Sequence, residues 1–141
     1  MMHAGRYASV GFLYHPPSGQ VLLHHRDANA SHYPLCWAGF GGMNEPEDGD
    51  DPAVTWQREM REELGITLRR EQITYLRSYV NHDVGRQRHI FYAAWPSTDD
   101  TFALTEGDGY GWFTLGEALL LPDLMAYARE DIEYFRETVI S

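Results

Sequence analysis

Apolar and polar residues alternate through Ala8, Val10, Phe12 and Tyr14, a period of two that predicts a half-buried strand. Pro16-Pro17-Ser18-Gly19 interrupts the alternation with turn residues and leads into a second strand, Val21 to Arg26. A polar loop, Asp27 to Pro34, follows; Cys36 to Phe40 predicts a short strand that delivers the chain to Gly41-Gly42. The period then changes. Ala53, Trp56, Met60 and Leu64 recur at helical spacing and predict a helix over Pro52 to Leu64, with Asp51 as its N-cap, Pro52 at the first helical position and Gly65 as its stop. Ile73 to Asn81 and Gln87 to Trp95 are strand-like and joined by a turn at Asp83-Val84-Gly85; the second is apolar on both faces from Ile90 to Ala93, the pattern of a central strand. Tyr110 to Phe113 predicts one more short strand. Leu124, Ala128, Ile132, Phe135 and Val139 predict a packing helix over Asp123 to Val139, capped by Asp123, with partner binding as the lesser alternative. Strands interleaved with two helices predict a layered α/β fold.

The chain's 141 residues, 43% of them hydrophobic, suffice for one domain spanning residues 1–141 and not for two. No apolar run reaches membrane-spanning length and the amino terminus lacks signal-peptide character, so the expected location is cytoplasmic. The lone Cys36 cannot form an internal disulfide and reads as a small core residue beside Leu35 and Trp37. A formal net charge of −10 argues against nonspecific binding to nucleic acid or an anionic membrane, and a phosphate substrate would need local cations. All eleven basic residues are arginine, which excludes Schiff-base chemistry through lysine. A homodimer is compatible with the sequence, which does not specify oligomeric state.

On the first helix Glu59, Glu62 and Glu63 stand at i, i+3 and i+4 and share a face, where like charges repel by roughly 0.2–0.5 kcal/mol per pair. A hard cation with oxygen ligands would offset that repulsion; the alternative is a solvated face with Arg58 and Glu62 as an ordinary i, i+4 pair. The glycines at Gly41-Gly42 allow close backbone approach to a ligand.

Together these residues resemble the signature of the Nudix hydrolases: Gly, five residues, Glu, seven residues, then Arg-Glu-aliphatic-any-Glu-Glu-any-Gly-aliphatic. Arg58-Glu59-Met60-Arg61-Glu62-Glu63-Leu64-Gly65-Ile66 fits the second half in full, with Asp50 seven residues ahead of Arg58 in place of Glu. Seven residues, Met43 to Gly49, separate Gly42 from Asp50 where the family has five, a two-residue insertion that leaves the role of Asp50 open.

The resemblance implies an α/β/α sandwich with a mixed β-sheet. It also implies divalent-metal ligation by Glu59, Glu62 and Glu63 with the Gly41 carbonyl, Mg²⁺ being the expected ion and Mn²⁺ its alternative. Arg58 would orient a neighbouring glutamate, and Arg26 and Gly42 would contact substrate phosphate. The general base would be Glu59 or Glu62, or else Glu106 on the glycine-flanked Thr105–Gly109 loop. Asp108 reads as a turn residue. Tyr33, Trp37 and Trp112 are candidates to stack on a nucleobase, with core packing preferred. Zinc is disfavoured, because His24 and His25 point to opposite strand faces and Cys36 has no second thiolate.

The implied activity is hydrolysis of a phosphoanhydride in a nucleoside diphosphate linked to another moiety: a nucleoside triphosphate, nucleotide sugar, ADP-ribose or dinucleotide. The alternative is a non-catalytic Nudix domain that senses a nucleotide or metabolite.

Overall fold

The computed structural model describes residues 5–104 and 107–140. Among these, seven strands join in one sheet: β1 (Tyr7–His15), β2 (Gln20–His25), β3 (Trp37–Ala38), β4 (Phe40–Met43), β5 (Ile73–Asn81), β6 (Arg86–Ala94) and β7 (Gly109–Thr114). Three α-helices accompany it: α1 (Pro52–Leu64), α2 (Leu115–Leu119) and α3 (Ala126–Phe135). No helix among the described residues is long and apolar enough to cross a membrane.

The sheet is mixed. β1 runs parallel to β6 from Tyr7↔Gln87 to Tyr14↔Ala94, and the remaining pairings are antiparallel. The other edge of β1 is shared: β4 pairs along Ala8 to Gly11, and β2 pairs at Tyr14 and His15. β2 divides its edge in the same way between β1 and β3, while β7 covers the opposite edge from Gln20 to His25. The expected strand Cys36–Phe40 is therefore two strands broken at Gly39, crossing from β2 to β1. A Cβ on Gly39 would lie 2.8 Å from the Gly11 carbonyl oxygen, so the crossing requires a bare α-carbon.

β1 lies between β6 and the β2/β4 edge, and Val10, Phe12 and Leu13 are all buried. The strand expected to be half-buried is thus covered on both faces. Its residues alternate between two cores. Val10 and Phe12 join Val21, Leu23 and Ile90 against α2 and α3, whereas Leu13 joins Leu22, Phe91 and Ala93 against Ala53, Trp56, Met60 and Leu64 of α1. A helix layer on each face makes the α/β/α sandwich.

α2 escapes sequence periodicity because five residues are too few to show it; a capping box in which Thr114 and Glu117 exchange hydrogen bonds of 2.8 and 3.1 Å marks its start. α3 begins at Ala126, with Met125 rather than Asp123 at its N-cap, and ends in a π-type turn, Arg136–Ile140. The Asp123 carbonyl instead accepts the Trp37 N–H at 2.9 Å, and its side chain reaches His25.

Candidate active site

α1 starts and stops as its sequence dictates. The Asp51 carboxylate accepts the Ala53 N–H at 3.1 Å, and Gly65 takes φ +72° while its N–H returns to the Arg61 carbonyl at 3.0 Å. Trp56 registers the helix against the sheet. Its indole N–H donates to the Phe40 carbonyl at 3.0 Å, and its ring fills the space over Gly11, where a Cβ would come within 2.6 Å of it. This docking brings the acidic face of α1 over β4. A Cβ on Gly41 would stand 2.0 Å from the Ser9 carbonyl oxygen, so that position must be bare, whereas one on Gly42 would stand 2.7 Å from the tip of the flexible Glu59 side chain.

Arg58 is buried and spends its whole donor set on the protein. Nε and Nη2 grip Asp48 at 2.9 and 3.1 Å, Nη2 also donates to the Met43 carbonyl at 2.9 Å, and Nη1 donates to Glu59 at 3.0 Å and Glu62 at 3.1 Å. Hydrogen bonding to Asp48 raises the Arg58 pKa against the opposing effect of burial. Asp48, also buried, accepts further from Thr55 Oγ1 at 2.8 Å and from the Glu45 N–H at 2.9 Å. Burial pushes its carboxyl up, but these partners, Arg58 foremost, hold it down at about 2.

The acid that serves Arg58 is thus Asp48. Asp50 is exposed, with φ +56° and no hold on the helix arginine. Counting five residues from Gly42, Met43 to Glu47, lands on Asp48, so the two-residue insertion follows the loop acid instead of preceding it.

The three glutamates differ in setting. The Glu59 and Glu62 side chains are 14% and 56% exposed, and Glu63 is buried. Burial raises the Glu59 pKa, opposed by Arg58 and by a hydrogen bond with Glu63. No three His, Cys, Asp or Glu side chains among the described residues are gathered at metal-holding distance. Arg58 and the Glu59–Glu63 hydrogen bond instead offset the crowding of negative charge. As a donor set, three carboxylates beside a glycine backbone with no Cβ to obstruct approach fit a hard divalent cation.

A cavity of about 280 Å³ shares Gly41 and Gly42 as wall, and Arg26, Tyr33, Asn81, Arg86 and Arg88 also line it. Arg26 is fixed by donating from Nε to the His32 carbonyl at 2.9 Å, and Arg86 Nη1 approaches Met43 Sδ at 3.3 Å. Tyr33, at φ +52°, accepts from Asn81 Nδ2 at 3.1 Å. Of the three candidate aromatics only Tyr33 lines this cavity. Trp37 packs edge-on against Phe113 and His25, and Trp112 packs edge-on against His15. A second cavity of about 310 Å³ shares Arg26 and Ser31 with the first and reaches Gly107. Glu106 lies outside the described residues.

The two adjacent histidines diverge. His24 is buried against Phe40 with ring centroids 4.6 Å apart, and burial, aided by Arg26, lowers its pKa to about 4. His25 joins Asp108 at 2.7 Å and Asp123 at 3.2 Å, giving Asp108 a role beyond its turn. Burial opposes the charged form of His25, yet the two carboxylates raise its pKa overall. Cys36 is partly buried against the α2/α3 core.

Sequence reasoning passed over Asp48, Asn81, Arg86 and Arg88. The five-residue count from Gly42 could have found Asp48. Arg86 and Arg88 share a face of β6 by their spacing of two, but only the fold shows that this face borders Gly42.

The family model described as NUDIX domain matches residues 5–135. Among solved structures, the Escherichia coli ORF135 protein is similar at 26% identity, with a TM-score of 0.69 over 94% of this chain and 89% of that one. A MutT protein from Methanosarcina mazei Go1 is similar at 22% identity and TM-score 0.74, covering 93% of each chain. A Caenorhabditis elegans Ap4A hydrolase is similar at 23% identity and TM-score 0.70, over 92% of this chain and 96% of that one. Comparison with curated proteins returned no match. A family match over almost the whole described chain, together with the acidic helix docked on paired glycines, shows that the chain belongs to the Nudix family.

Proposed function

We propose that this chain is a divalent-cation-dependent hydrolase of a phosphoanhydride in a nucleotide, a nucleoside diphosphate linked to a further phosphate, sugar or nucleoside. One observation carries this reading: Arg58 joins Glu59 and Glu62 on a helix face laid against bare Gly42, whose other neighbour is a cavity lined by arginines. In a chain of net charge −10 these are the local cations a polyphosphate needs.

Glu59, Glu62 and Glu63, with the Gly41 carbonyl, would hold Mg²⁺ or Mn²⁺. When bound, the ion supplies charge neutralisation at the diphosphate and a lowered pKa for water. Arg26 and Arg86 would hold phosphate oxygens, for which the guanidinium fork is suited. Arg58 is a positioning residue, because all five of its N–H groups are engaged by the protein. A glutamate, Glu59 or Glu62, takes the proton as water attacks phosphorus and the anhydride P–O bond breaks; Glu106 is the competing base. No covalent intermediate is required.

The test is a phosphate-release screen over nucleoside triphosphates, nucleotide sugars, ADP-ribose and dinucleotides with Mg²⁺ and with Mn²⁺, products identified by mass. Cleavage between phosphorus atoms in at least one substrate is expected. Tight nucleotide binding without turnover on any of them would favour a sensor.

A further inference from the structure

We infer that Arg88 reads the nucleobase in this cavity and selects a base edge carrying two neighbouring hydrogen-bond acceptors, as in guanine nucleotides. The inference rests on the nucleotide-hydrolase reading and narrows it to a substrate class.

Arg88 is 7% exposed, far more enclosed than a surface guanidinium, and it lines the cavity. Its fork is held from behind. Nε donates to the Tyr79 hydroxyl at 3.0 Å, Nη2 stands 3.6 Å from Asp131, and Tyr79 in turn donates to Asp131 at 2.7 Å. Asp131, itself buried on α3, is further fixed by Arg77 Nη2 at 3.0 Å. Nη1 of Arg88 has no hydrogen-bond acceptor among the described residues. A guanidinium held on this mount at the cavity wall, with a donor the protein does not use, can offer that donor to an acceptor of the ligand.

The surroundings favour a base over a phosphate at this depth. Val10, Ala38 and Met125 are apolar walls suited to a flat ring. Arg26 and Arg86 are less enclosed, and Arg86 stands beside Met43 next to Gly42, where the phosphates would lie. Guanine presents O6 and N7 side by side to such a fork, whereas adenine puts an amino donor beside N7.

The experiment compares guanosine and adenosine nucleotides bearing the same phosphate chain, by kcat/KM with Mg²⁺ and by equilibrium binding of GMP and AMP without metal. The wild type is expected to favour guanine about tenfold or more in both assays, the order of a good bidentate pair. Arg88→Gln should bring the ratio near one by lowering the guanine value while the adenine value stays within about threefold. Tyr79→Phe keeps the ring and removes the hydroxyl that holds Nε, so it should narrow the ratio in the same direction and covers the case in which Arg88→Gln fails to fold. Equal losses on both bases in Arg88→Gln, or a wild type without guanine preference, would overturn the inference. Turnover without base preference would sink this inference and spare the hydrolase reading, and GMP preference without turnover on any nucleotide would do the reverse.

Discussion

Asp48 and Asp50 carry the same side chain two positions apart and have opposite fates, because only Asp48 is drawn inside onto Arg58. Removing one partner of a buried ion pair strands the other. Asp48→Asn should cost about 3 kcal/mol in denaturant unfolding, while Asp50→Asn should change little, asparagine tolerating positive φ. Comparable losses at both positions would contradict the assignment. The pH dependence has a definite sign. The folded Asp48 carboxyl is held at about 2 against an ordinary 3.8, so its contribution is present above roughly pH 4 and is lost as pH falls through 2. The stability gap between wild type and Asp48→Asn should accordingly narrow on acidification. Glu62 is the opposite case, 56% exposed and bonded to Arg58 by one oxygen. Glu62→Gln should fold normally and lose roughly 10²-fold or more in kcat, and near-native turnover would move the chemistry elsewhere.

At the scale of elements, two glycines separate packing from function. Gly11→Ala would drive a Cβ to 2.3 Å from the Phe91 carbonyl oxygen and into the Trp56 ring, neither of which can swing aside. It should destabilise the α1–sheet contact by roughly 1–3 kcal/mol. Gly42→Ala meets only the tip of the flexible Glu59 side chain, so it should retain stability yet raise the metal concentration for half activity about tenfold or more, by displacing that carboxylate. Equal thermal losses in the two variants would contradict this contrast.

The boundaries of α1 and β5 were legible in the sequence because local signals define them: Asp51, Pro52 and Gly65 for the helix, and the turn after Asn81 for the strand. The break at Gly39 and the late start of α3 were not legible, since each depends on a partner distant in sequence, Gly11 for the one and His25 with Trp37 for the other; Asp48 could be reached by counting five residues from Gly42, but its hold on Arg58 is visible only in the fold. The loop before β7 supplies the remaining element-scale test. Glu59 is carried on a helix anchored by Trp56 and Met60, whereas Glu106 is next to Gly107. In single-turnover experiments at saturating substrate and metal, Glu106→Gln should slow the chemical step less than Glu59→Gln. The reverse order would place the base on the loop and leave the helix as a metal platform.

Across the whole molecule, the sandwich brings two opposed electrostatic surfaces to one strand. β4 carries the Gly41-Gly42 walls, with the acidic face of α1 on one side and the cavity of Arg26, Arg86 and Arg88 on the other. On the proposed reading the acidic face would repel a polyphosphate and the arginines would attract it, so productive binding would need a cation to neutralise the glutamates. The most direct measurement is therefore turnover of a cleaved nucleotide by metal-stripped protein in excess chelator, followed by titration with Mg²⁺, on wild type and on Glu59→Gln. The account predicts no turnover in chelator, saturable recovery with Mg²⁺ in the wild type, and at least a roughly 10²-fold deficit in the variant at every Mg²⁺ concentration. Full turnover by the stripped wild type in chelator would contradict it.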